Sequence, residues 1–128
     1  MIQEDYVSFE TAKLLKEKGF CAPCFAYYSE YVDNWKTLKI WRGYAKTYDT
    51  VRNNGYVLVP TLQTAMKWLR EVHHIIFVFK PSYFSGDECT YWTYERWCGD
   101  NFDGEVLSFK TYEEACETAI KYCLDNLI

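Results

Sequence analysis

Three prolines, six glycines and two histidines are few for 128 residues. With so few breakers there is no Pro- or Gly-rich linker and no low-complexity stretch. Long apolar runs are missing too. The longest, Ile75-Ile76-Phe77-Val78-Phe79, is strand-sized, whereas a membrane span needs roughly 18 residues. Positive charge is scarce: 14 Lys and Arg against 18 Asp and Glu give −4, which argues against a duplex-DNA binder working by phosphate neutralisation. The opening Met1-Ile2-Gln3-Glu4-Asp5 is acidic, with no apolar stretch behind it, so a secretory leader is not expected and a cytoplasmic location is. Catalytic signatures are also lacking. There is no G-x-S-x-G, no Walker loop and no G-x-G-x-x-G. The adjacent His73 and His74 do not have the four-residue spacing of a helical zinc pair, and they suit the negative end of a helix dipole. Glu71 and His73 make an acid/base pair only if that helix end opens into a cleft. No catalytic residue, metal ligand or cofactor is expected.

What remains is a chain of 128 residues, 49% hydrophobic and 25% charged. These values describe one domain, residues 1–128, large enough to bury a core. Six cysteines raise the question of disulfides or zinc. Cys21-Ala-Pro-Cys24 has C-x-x-C spacing, but it follows a helix end, and Cys89 and Cys98 give no second close pair. Cys116 and Cys123 lie seven apart on a predicted helix face with Ala119 and Ile120. Free thiols in a reducing compartment, the last two in the core, are therefore expected.

Three helices are predicted. Ser8 caps the first, over 9–18, with Gly19 as its stop. Thr61 caps the second, over 62–73, where Leu62, Ala65, Met66, Leu69 and Val72 recur at helical spacing. Thr111-Tyr-Glu-Glu114 is a capping box ahead of a third, whose apolar face runs from Ala115 to Leu127. Strands are predicted for 25–32 and 38–44 as a hairpin turning at Asp33-Asn34, for 75–79 as a central strand ended by Pro81, and for 89–97. Residues 56–59 read as a short strand or as a lead-in to Pro60, and 105–109 as a short last strand. Gly99-Asp100 and Asp103-Gly104 bracket a loop. The expected fold class is α+β: a single domain with a small antiparallel sheet and about three helices packed on one face.

The abundant feature is aromatic: five Trp, twelve Tyr and eight Phe. Alternation along a strand puts Tyr91, Thr93, Glu95 and Trp97 on one face and Trp92, Tyr94 and Arg96 on the other. A sheet covered by helices on one side needs only one apolar face. A second aromatic face bearing Arg42 or Arg96 has the make-up of a stacking site for a planar phosphorylated ligand. The candidate ligand-binding residues are Trp41, Arg42, Tyr48, Arg52, Trp92, Tyr94 and Arg96, with Asn54 in the long loop that would close over the ligand. Two functions follow. One is a non-enzymatic protein that sequesters a small nucleotide-like ligand. The other is an interaction module, a homodimer or an inhibitor of a host protein, whose rings form the interface. Rings that simply fill the core are the third use.

The helical segments 7–20, 61–73 and 111–128 resemble those of a family of small proteins from gut bacteria and their phages and mobile elements. The resemblance implies a cytoplasmic accessory protein of phage or mobile-element origin that binds a host protein or a nucleotide signal. It transfers no functional residue.

Overall fold

The computed structural model describes residues 5–51, 55–83 and 89–128. Helices and antiparallel strands alternate through it, so the class is α+β, but the strands form two three-stranded sheets where one is expected. The chain divides into two compact units, Met1–Ala65 and Met66–Ile128, and the division falls inside a helix.

The first unit opens with helix α1, Phe9–Glu17, capped as expected by Ser8, whose side chain accepts from the Thr11 N–H. Gly19, at φ +86, ends it. The Phe20 N–H reaches back to the Leu15 carbonyl at 3.0 Å, so the orphan carbonyls of the last turn are satisfied and Phe20 is brought into the core. Thr11, Ala12 and Leu15 form the buried face. The hairpin is present but shorter than predicted: strand β1, Ala26–Ser29, pairs with β2, Lys39–Ile40. A short helix α2, Tyr48–Val51, precedes strand β3, Tyr56–Val59. That strand pairs antiparallel with β1, giving the order β2-β1-β3. Register puts Tyr28 and Val57 on the face that meets α1, since Phe9 packs edge-on against Tyr28 at 4.9 Å. Tyr27 and Tyr56 point the other way. The outer edge of β3 is covered, because the Leu58 N–H donates to the Tyr48 hydroxyl at 2.9 Å and the Tyr56 carbonyl accepts from Lys16 at 2.9 Å.

Helix α3, Leu62–His73, has the predicted bounds and its Thr61 cap, whose Oγ1 accepts from the Thr64 N–H at 3.2 Å. It stops at His74, which takes the left-handed position (φ +58) more often given to glycine. The second unit then folds as a meander. Strands β4, Ile75–Tyr83, β5, Cys89–Cys98, and β6, Asn101–Phe109, pair in that order. β4 is therefore an edge strand with one open face, not a central strand with both faces covered, and Ile76 and Val78 are exposed. Pro81 does not end it. A residue without an N–H is tolerated on an edge, and Pro81 pairs in register with Trp92. The loop expected between Gly99 and Gly104 shrinks to the Gly99-Asp100 turn, with Gly99 at φ +62, and Asp103 and Gly104 lie within β6.

Helix α4, Tyr112–Asn126, closes the unit, with the Thr111 hydroxyl accepting from the Glu114 N–H at 3.0 Å. Its buried face is Ala115, Cys116, Ala119, Ile120, Cys123 and Leu124. Tyr94 packs against Ala115 and Ala119, ringed by Phe77, Phe79, Trp92 and Phe109. Small helix residues thus face large sheet residues across the layer. This is why the strand carries aromatics on that side.

Candidate functional site

A cleft of about 390 Å³ opens in the first unit, lined by Phe9, Lys13, Lys16, Glu17, Trp35 and Val57. Four of these come from α1 at helical spacing, so the Ser8 cap that fixes the start of the helix also fixes one wall. Val57 on β3 forms the floor. Trp35 comes from the turn between β1 and β2, where Asp33, Asn34 and Trp35 have φ of 54, 49 and 72. Asp and Asn visit this left-handed region readily, but a tryptophan there is an outlier, at a cost of roughly 1–2 kcal/mol. Two bonds hold the turn: Lys36 N–H to the Asp33 carbonyl at 3.1 Å, and Thr37 Oγ1 to Asp33 Oδ2 at 2.8 Å. Strain of this kind persists where surrounding structure over-determines it, and it gathers at ligand clamps.

The rings of Phe9 and Trp35 are 6.1 Å apart, centre to centre, at 38°. Lys13 holds its ammonium 5.3 Å over the Phe9 ring. Lys16 lies 5.4 Å over the Tyr48 ring and donates one hydrogen bond to the Tyr56 carbonyl. An ammonium has three donors, so Lys16 is anchored and still able to meet an anion. Aromatic walls and two cations, set against the single carboxylate of Glu17, suit a planar anion.

The residues singled out from the sequence fall elsewhere. Trp41 stacks on Tyr27 at 4.1 Å and 18°, on the face of the first sheet that points away from α1, with Lys46 over its ring at 5.5 Å. Arg42 is exposed. Tyr48 closes the β3 edge, and burial pushes its hydroxyl up to about 12, although the Leu58 N–H works the other way. Arg52 and Asn54 lie outside the described residues. In the second unit, Trp92 packs edge-on against Tyr112 at 5.2 Å, and Tyr94 is 1% exposed. Arg96 is 6% exposed, ion-paired to Asp103 at 2.5 Å and set 4.0 Å from the centre of the Tyr122 ring. The face bearing Trp92, Tyr94 and Arg96, expected to be the one helices leave free, is the one α4 covers.

His73 and Glu71 have separate surroundings. His73 packs edge-on against Trp68 at 4.7 Å, and Glu71 is exposed opposite Lys67. Cys24, Cys116 and Cys123 are buried, and burial pushes the thiols of Cys24 and Cys123 up to about 12. Among the described residues no group of three His, Cys, Asp or Glu side chains is placed to hold a metal ion. Sequence reading passed over Phe9, Lys13, Lys16 and Trp35. The α1 stripe was legible from helical spacing, but nothing local announced that Trp35 would be turned against it. No known protein family, curated protein or solved structure matches the chain.

Proposed function

We propose that the protein is a binding protein that sequesters a small planar anion of the nucleotide class in the cleft between α1 and the Trp35 turn. The observation behind this reading is the strained placement of Trp35 opposite Phe9, beside Lys13 and Lys16. The cleft volume falls within the range of small-molecule sites. A base stacks against the indole while its phosphate meets the ammonium groups. A sequestering role suits the phage-type accessory protein that the three helices resemble.

Calorimetry with a panel of mono-, di- and cyclic nucleotides at about 1 mM tests it. One of them binds, Trp35→Gly abolishes the heat, and Lys13→Gln weakens binding about tenfold. Glycine at this φ removes strain as it removes the ring, so stability of the Trp35→Gly variant changes by less than about 1 kcal/mol. No heat with any nucleotide, or undiminished heat from the glycine variant, overturns the reading.

A further inference from the structure

A second surface, in the other unit, has a different chemistry. Only one face of the β4-β5-β6 sheet is covered by α4. On the opposite face register aligns Ile76 with Trp97 and Phe102, and Val78 with Glu95 and Glu105. Ile76, Val78 and Phe102 are 43%, 39% and 53% exposed, contiguous in the pairing and not scattered. Between them lies a concavity of about 330 Å³ lined by Ile76, Val78, Trp97, Gly99 and Asp100. Its indole is fixed in place: Trp97 packs on Phe102 at 5.3 Å and donates its Nε1–H to Glu95 at 3.3 Å. The other Glu95 oxygen takes Lys80. Lys80 is ion-paired to Glu95 and within electrostatic reach of Glu105, so on this face one cation meets three carboxylates, Glu95, Glu105 and Asp100.

The geometry points to this face as a docking surface for a partner protein segment that is apolar and basic, with one arginine seated in the concavity. The arginine stem would lie along Ile76 and Val78, its guanidinium would stack on the Trp97 indole, and its fork would meet the Asp100 carboxylate. Charge selects this occupant over a second copy of the chain, because a symmetric pairing would set a face of three carboxylates and one lysine against another of the same negative balance. Trp and Arg are also the residue types that anchor interfaces. The surface shares no residue with the cleft of the first unit, so it stands or falls separately.

The test uses the full chain, ¹⁵N-labelled, titrated with an acetylated and amidated peptide of alternating leucine and arginine, and with its counterpart in which citrulline replaces arginine. Citrulline keeps the shape and removes the charge. The arginine peptide shifts the Trp97 indole signal with a Kd below about 1 mM, and the citrulline peptide binds at least tenfold more weakly. Asp100→Asn lowers affinity for the arginine peptide at least tenfold with an unchanged circular dichroism spectrum. Equal binding of the two peptides, a shift that bypasses Trp97, or an unaffected Asp100→Asn variant overturns the proposal. So does a dimer in sedimentation that Phe102→Ser dissolves, since the occupant would then be a second copy.

Discussion

Arg96 shows how one side chain dictates its neighbours. Its guanidinium lies under Tyr122, is ion-paired to Asp103, and leaves Nη1 buried without a hydrogen-bond partner. A Cβ added at Gly104 would stand 3.0 Å from Arg96 Nη2, so the glycine on the facing strand makes room for the charge. A buried ion pair gains little over a well-packed apolar residue, but stranding one partner is costly. Arg96→Met should leave stability within about 1 kcal/mol of the parent, because the Asp103 carboxylate it leaves behind sits on a side chain 34% exposed and water can take the place of the guanidinium. Asp103→Asn should cost about 2 kcal/mol, since it removes the anion from a charge that stays buried. Urea denaturation of the two variants compares them, and a methionine variant weaker than the asparagine variant would contradict this account.

At the scale of elements, caps were the most legible feature of the sequence. Ser8, Thr61 and Thr111 all start helices as expected, because a cap is a local bond between residues three apart. Thr111→Ala should cost about 1 kcal/mol by thermal or urea unfolding, since it frees the Glu114 N–H at the start of the longest helix. Strand content was legible as well, but partnership was not. Nothing within residues 56–59 says that they pair with β1, and nothing within 75–83 says that only β5 will flank them. Pairing joins residues far apart in sequence, and alternation gives the two faces of a strand without saying which one a helix will cover. That gap hid the packing of three of the residues singled out from the sequence. Trp92, Tyr94 and Arg96 looked surplus only because the small residues of α4 were not known to lie against them. Trp35, in a turn of positive φ, had no periodic signal at all.

Among the described residues, three acidic groups are shifted furthest by burial. Cys24 and Tyr48 in the first unit and Cys123 in the second have all been pushed up to about 12 by burial, from ordinary values of 9.0 for the thiols and 10.0 for the phenol. The folded protein holds these protons where the unfolded chain has already released them. Their contribution is complete below about pH 9 and is lost as pH rises from there towards 12. Stability against urea should hold steady to about pH 9 and fall continuously above it. A flat profile up to about pH 11 would show that these groups are not buried as described.

Whether the Trp35 cleft takes a nucleotide can be measured directly through the five tryptophans. Trp35 lines the cleft, Trp41 stacks on Tyr27, Trp68 packs on His73, Trp92 on Tyr112, and Trp97 lies on the open sheet face. Each indole N–H gives its own signal in a ¹⁵N-labelled sample. Titration with the nucleotide that gives heat in calorimetry should move the Trp35 signal first and furthest, and leave Trp68 and Trp92 in place. A shift centred on Trp92, or five signals that never move with any nucleotide, would contradict the assignment of the cleft.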